Sequence, residues 1–230
     1  MEASEAIRRR HTVRKYTDQP IPANTVMLLN DRIAANNAKY GIYLKLITDS
    51  CDGLDGMAKL LSAWSVRNFI VLAGRDRPDL DEKLGFHGLD EKLGYCGADL
   101  ILYAQSLGLN TWWCGGMFDS KNAAKHLVSS KVRVNGVIAI GYGQTQGIPH
   151  KTKTAEDISV YDGEAPQWFS DGVKALLYAP TAMNKQPYAV TGRGNSVSLT
   201  AGDGRYSGID LGIGRYHFEV GAGKENFEWA

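Results

Sequence analysis

Two stretches decide how the rest of the chain is read: Arg8-Arg-Arg-His-Thr-Val-Arg-Lys15 and Ala179-Pro-Thr-Ala-Met-Asn-Lys-Gln-Pro187. The first places five cationic side chains within eight residues. In an extended segment alternate side chains share a side, so Arg10, Thr12 and Arg14 would face one way. Two guanidinium forks with a hydroxyl between them make a cradle for a phosphate. Taken alone, the run also reads as the solvated basic end of a helix or as a nucleic-acid patch. The second stretch has small residues and Pro180 that could lie flat under a planar ring, and Asn184 and Gln186 supply amide donors and acceptors. Its other reading is a helix stop followed by a turn.

Composition narrows the choices. At about 150 residues per domain, 230 residues amount to one domain and a half. With 43% hydrophobic residues the chain can bury a core and is not a solvated coil. Lys+Arg 26 against Asp+Glu 25 leaves +1, which argues against a globally basic nucleic-acid binder. Cys51, Cys96 and Cys114 form no CxxC, so neither a disulfide framework nor a zinc site is expected. Reduced thiols, an N-terminus without an apolar signal region and a longest apolar run of Phe69–Ala73 point to a cytoplasmic, membrane-free protein. The five histidines show no metal spacing, and neither a Walker A motif nor GxGxxG occurs.

Periodicity predicts helices over 3–10, 22–37, 54–66, 94–107, 119–128, 169–178 and 207–221. Strands are predicted at 43–47, 69–73, 137–143, 188–191 and 197–200, the last two joined by Gly192–Asn195. Leu100, Tyr103, Ala104 and Leu107 would form one apolar stripe, and Ile209, Ile213, Tyr216 and Val220 another. Gly108 would end the 94–107 helix. Residues 75–93 show no clear pattern, and 144–168 read as a polar connection. Gly97-Ala-Asp-Leu100 and Gly208-Ile-Asp-Leu211 each open a helix, which hints at an internal repeat.

Two further segments carry chemistry. Thr111-Trp-Trp-Cys-Gly-Gly-Met117 holds a glycine pair whose backbone N–H groups could approach a ligand closely. Cys114 has no histidine partner in sequence and reads as an inert buried thiol. Lys151-Thr-Lys153 again places two cations on one side of the chain.

Together these four segments resemble the FMN-dependent nitroreductases. Arg-Arg-His-Thr-Val-Arg resembles the family's opening flavin-phosphate motif, with Thr12 in place of the usual serine. Ala-Pro-Thr-Ala-Met-Asn-Lys-Gln-Pro-Tyr resembles its Ala-Pro-Ser-x-x-Asn-x-Gln-Pro-Trp loop. Gly97 to Gly116 resembles the helix and glycine pair that approach the flavin ring, and Gly141-Tyr-Gly with Lys151 and Lys153 resembles the late strand and basic pair. One departure stands out. The family's loop follows the arginine motif closely, but here that place holds only Ala34-Ala-Asn-Asn-Ala38, and the good copy lies at 179–187. Family members are usually homodimers in which one subunit supplies the arginines and the other the loop.

The resemblance therefore implies an α+β, nitroreductase-like fold: a mixed or antiparallel central sheet flanked by helices, with a pseudo-two-fold repeat. It implies a single domain over 1–230 that acts as a fused and trimmed dimer, with halves of about 1–150 and 165–230. By resemblance, Arg10, His11, Thr12, Arg14, Lys151 and Lys153 would hold the FMN phosphate and ribityl chain. Pro180, Thr181, Ala182 and Asn184 would line the ring, and Gly115 and Gly116 would meet its reactive edge. No protein acid or base is required, because the flavin carries the chemistry. Electrons would pass from NADH or NADPH to a small-molecule acceptor such as a nitroaromatic, a quinone or a flavin. The alternative is a non-catalytic flavin-binding or storage protein of the same fold. The chain would be a pseudo-dimeric monomer or a homodimer.

Overall fold

Arg8–Arg10 end a short helix, α1 (Ala3–Arg9), and the chain then runs extended to the start of α2 (Ala23–Tyr40). The computed structural model describes residues 1–128 and 131–230. Further along come β1 (Lys45–Ile47), α3 (Gly56–Leu61), β2 (Phe69–Gly74), α4 (Pro78–Lys83), α5 (Leu89–Ser106), β3 (Asn110–Cys114), α6 (Ser120–Lys125) and β4 (Arg133–Gly141). The remainder comprises β5 (Ser159–Tyr161), α7 (Gln167–Leu176), β6 (Tyr188–Arg193), β7 (Ser196–Ala201), α8 (Ser207–Ala222) and β8 (Glu228–Trp229).

The class is α+β, as expected, with an antiparallel sheet of order β1-β2-β4-β3 flanked by helices. A second sheet, β5-β6-β7-β8, is mixed: the β6–β7 hairpin is antiparallel and both outer strands join it in parallel. β2 and β4 form the middle of the first sheet, with Phe69 opposite Ala139. Their side chains alternate between two layers. Ile70, Leu72, Ile138 and Ile140 face the main core with α5. Phe69, Val71, Val137 and Ala139 face a smaller cluster with Leu54, Trp112 and Cys114. In the second sheet Tyr188, Val190, Val197 and Leu199 point inward while their neighbours face solvent, the pattern of a one-sided sheet.

α5 and α8 cross at the centre. A methyl group on Gly212 would overlap the Glu91 carbonyl oxygen, and one on Gly94 the Ile209 carbonyl oxygen. Only glycine lets the two backbones touch. The single apolar stripes expected for these helices are therefore too narrow. Both helices are buried nearly all round, because each meets the other and the main core at once. Several buried charged groups on these faces are paired. Glu91 meets Arg215 at 2.5 Å, and Asp99 accepts from Arg32, Asn36 and Tyr216. Gly108 ends α5 as expected: it is left-handed at φ +81, and Leu109 N–H reaches back to the Ala104 carbonyl.

Other expectations are corrected. The helix expected over 54–66 is only Gly56–Leu61, capped by the Asp55 carboxylate on Ala58 N–H, and Ala63 and Trp64 turn left-handed after it. The 75–93 stretch contains all of α4 and the first turn of α5. β3 is not among the expected strands: its Trp-Trp-Cys residues pair with β4, and tertiary pairing made the strand. The polar 144–168 connection contains β5, which is held by parallel pairing to β6 rather than by its own pattern. The β6–β7 turn is tighter than Gly192–Asn195, since the strands run through Arg193 and resume at Ser196.

Candidate functional site

After α1 the chain runs extended beside β3. Val13 N–H donates to the Thr111 carbonyl at 3.1 Å, and bridges join Thr12 to Thr111 and Tyr16 to Gly143. This arm presents Arg10, His11, Thr12 and Arg14. Arg10 is 4% exposed and turned inward, and its guanidinium donates to the Tyr178 carbonyl at 3.4 Å. Its Nε has no partner, and among the described residues no carboxylate forms an ion pair with it. Burial alone pulls its pKa down to about 10. The His11 imidazole is also pulled down, first by burial and then by the charges of Arg10 and His150. Gly147, at φ +74, lets the 144–150 turn lie against this arm, because a methyl there would sit 2.7 Å from His11 Cβ. Arg14 is exposed and lies over the Trp112 ring, 5.4 Å from its centroid. Thr12 is half-buried.

The 179–187 loop meets the same region from the other side. Its path is strained: Met183, Asn184 and Gln186 all have positive φ, at 54, 54 and 45. The buried Gln186 holds it. Its Oε1 accepts from Lys153 N–H at 2.8 Å, and its Nε2 donates to the Leu177 carbonyl at 2.7 Å and to Thr152 Oγ1 at 3.1 Å. Its own N–H donates to Thr181 Oγ1 at 2.9 Å, and its carbonyl accepts from Lys153 Nζ at 2.8 Å. Asn184 Nδ2 donates to the Lys151 carbonyl at 2.7 Å. Pro180 is half-buried behind Thr181.

The fold thus brings Arg10 and His11 together with Tyr178 and His150, and ties Lys153 and Thr181 through Gln186 and Asn184 to the Lys151 backbone on the neighbouring segment. Gly115 and Gly116 lie at another corner, beyond the end of β3. A methyl on Gly116 would approach the Tyr206 hydroxyl to 2.6 Å. Tyr206 caps the start of α8, and in the first turn of that helix Asp210 accepts the Ala182 N–H at 3.2 Å. The glycine pair is therefore tied to the loop through α8 rather than directly to the arginines.

Two residues, Asp210 and His217, escape the sequence reading as site elements, and a third, Gln186, has a different role from the one expected. Gln186 was seen as an amide offered to a ligand, but the structure spends it on holding the loop. Asp210 was visible only as part of the repeated Gly-x-Asp-Leu, and burial pushes its carboxyl up to about 6. His217 is fully buried behind Arg10; burial pulls it down to about 3, so it is neutral, and its Nδ1 lies 2.8 Å from the Ile213 carbonyl. The Cys114 reading holds: the thiol is fully buried and burial pushes its pKa up. Among the described residues no group of metal-ligating side chains occurs, and no helix is long and apolar enough to cross a membrane.

The arrangement is a cationic, donor-rich arm facing a strained loop, on an α+β frame. Solved structures share this frame. A nitroreductase structure from Thermotoga maritima is similar over 98% of this chain and 85% of its own, at 19% identity and TM-score 0.69. A nitroreductase from Exiguobacterium sibiricum, solved in complex with FMN, aligns over 68% of this chain and 95% of its own, at 13% identity and TM-score 0.50. One from Desulfovibrio desulfuricans, also in complex with FMN, aligns over 71% and 96%, at 18% identity and TM-score 0.50. These define a protein of the nitroreductase fold. The family profile described as "Putative TM nitroreductase" matches residues 2–222. The chain belongs to this nitroreductase family, and so to a class of oxidoreductases. No curated protein sequence matches it.

Proposed function

We propose that the chain is an FMN-dependent oxidoreductase that takes electrons from NADH or NADPH and passes them to a small-molecule acceptor, a nitroaromatic, quinone or flavin. The observation that carries this reading is Arg10: a buried guanidinium beside His11, with an unpartnered Nε and no carboxylate paired with it among the described residues. Burying a charge without a counter-ion is costly, and a phosphate monoester at this place supplies one. The residues therefore fit the FMN phosphate. When bound, FMN supplies the hydride chemistry.

The chain's own groups bind and orient. Arg10, His11, Lys151 and Lys153 take the phosphate end; Thr12 and Arg14 continue along the extended arm toward the ring. Pro180, Thr181, Ala182 and Asn184 form the opposing wall, kept in shape by Gln186. Gly115 and Gly116 offer backbone N–H groups without side-chain obstruction. None of these roles needs a protein acid or base.

The reading includes one flavin site per chain, built by two halves of about 1–150 and 165–230 within a single domain. The order helix–strand–strand–helix recurs as α2-β1-β2-α5, interrupted by α3 and α4, and as α7-β6-β7-α8. Each final helix carries Gly-x-Asp-Leu, and the two cross at Gly94 and Gly212. Asp99 bonds Asn36 of the degraded Ala34–Ala38 copy, which lies within α2, as Asp210 bonds Ala182 of the intact loop. The FMN-complexed neighbours each match only about two thirds of this chain while nearly their whole length is covered. A cytoplasmic location and a monomeric or homodimeric state belong to the same proposal.

The test is the visible spectrum of the purified protein with added FMN, before and after anaerobic NADH or NADPH. Flavin bands at one FMN per chain that bleach with the donor and return with an acceptor support it. Flavin bands that never bleach leave a binding or storage protein and refute the oxidoreductase reading.

A further inference from the structure

Beside the proposed phosphate cluster lies a cleft of about 690 Å³ between α1 and α7, walled also by the 149–152 segment. That is the size of an organic ligand site. Its floor is apolar, made by Ile7, Ala175 and Leu177, and the half-exposed Tyr178 stands beside it. Its rim is basic. Arg8 is exposed and forms no ion pair among the described residues, and Lys174 is held only by a loose 3.4 Å contact to Asp171. His11 and His150 complete the rim, and His150 Nε2 is buried without a partner. The single carboxylate, Asp171, is met by Gln167 Nε2 at 2.9 Å and by Lys174.

An inorganic anion would not use the apolar floor, and an apolar ligand would not use the cations. A flat heterocycle carrying an amino group and a phosphate uses all three features: the ring against the floor and Tyr178, the amine toward Asp171 on α7, the phosphate toward Arg8 and the histidines. His11 lines this cleft and also belongs to the phosphate cluster with Arg10, so the two sites are continuous.

We propose that this cleft binds an adenosine 5′-phosphate group, so that the chain accommodates a dinucleotide extending past the flavin phosphate. The inference rests on the FMN reading above for its neighbour but not for its own chemistry. The adenylate has two sources: the adenylate half of FAD, or the adenosine end of the nicotinamide donor.

The experiment uses flavin-free full-length protein and the variant Arg8→Glu, a residue not placed in the FMN cluster. Flavin fluorescence quenching gives the FMN and FAD affinities, and calorimetry gives those of AMP and, on FMN-loaded protein, ADP-ribose. The expected result is AMP binding to the parent chain that weakens at least tenfold in the variant, with FMN affinity changed less than threefold. A matching loss for FAD identifies the flavin dinucleotide; a matching loss for ADP-ribose identifies the donor. AMP that fails to bind the parent chain, or binds both proteins equally, overturns the inference. If FMN fails to bind the parent chain the flavin reading falls, and the AMP arm still decides the cleft.

Discussion

Replacing Arg10 by methionine should make the flavin-free protein more stable and the flavin-loaded protein less responsive to its ligand. Arg10 is 4% exposed, and burial pulls its guanidinium down to about 10, well below its ordinary value. That difference disfavours the charged form in the folded state by about 3 kcal/mol. Methionine keeps much of the apolar stem and removes the charge. It also removes the 3.4 Å hydrogen bond to the Tyr178 carbonyl, worth about 1 kcal/mol. The net gain is about 2 kcal/mol, which for a domain of this size raises Tm by about 4–8 °C. The sign with pH follows from the lowered pKa. Below about 10 Arg10 is charged in both the folded and the unfolded chain, and the full penalty applies. As pH climbs above about 10 the folded group loses its proton before the unfolded one does, and the parent protein gains stability relative to the variant. Added FMN should raise the Tm of the parent and barely move that of Arg10→Met, because a charge-assisted contact of about 1.5–3 kcal/mol is gone. Thermal melts with and without FMN, at neutral pH and above pH 10, measure all of this. A flavin-free variant that melts lower than the parent, yet keeps the full FMN response, would refute the reasoning about an uncompensated charge.

Further outcomes follow from other contacts. Asp210 titrates near 6 in the folded chain against 3.8 ordinarily, so the parent loses up to about 3 kcal/mol as pH rises from about 4 to 6. In Asp210→Asn the urea midpoint should lack that fall, and an identical pH slope in both proteins would sink the assignment. Gln186→Ala strands the Leu177 carbonyl and the Lys153 N–H, and should cost about 2–4 kcal/mol; limited proteolysis should then cut within 179–187, and an uncut loop would count against the clamp. Gly212→Ala pushes a methyl into the Glu91 carbonyl across the α5–α8 crossing and should cost about 1–3 kcal/mol despite alanine's better helix propensity. A raised denaturation midpoint would show that the helices have room to separate.

Local features of the chain were legible where one residue type or one period governs the outcome. The buried run Phe69–Ala73 is a strand because nothing but a sheet interior suits it, and Gly108 ends α5 because a left-handed residue is needed there. The β6–β7 hairpin follows from strict alternation. β3 and β5 were missed because their strand character comes from partners far away in sequence: β4 for one and β6 for the other. Local pattern cannot report a partner that lies tens of residues off.

The candidate site divides in the same way. Chemical type was readable: a basic arm, an amide-bearing loop, a lysine pair and a glycine pair are properties of side chains and need no coordinates. What each group does with its polar atoms was not. Asn184 and Gln186 carry the same amide, yet one spans to the Lys151 carbonyl at the surface and the other is buried and spent on the Lys153 N–H, Thr152 Oγ1 and the Leu177 carbonyl. Arg10 and Arg14 carry the same guanidinium, yet one is buried behind Tyr178 and the other lies open over Trp112. By itself the sequence determined the class of fold, the family and the chemistry on offer, because composition, period and motif are local. Only the tertiary structure decided which cation lacks a counter-ion, which amide holds the loop, and that Asp210 lies beneath it, because burial and partnership depend on chain segments that meet only on folding.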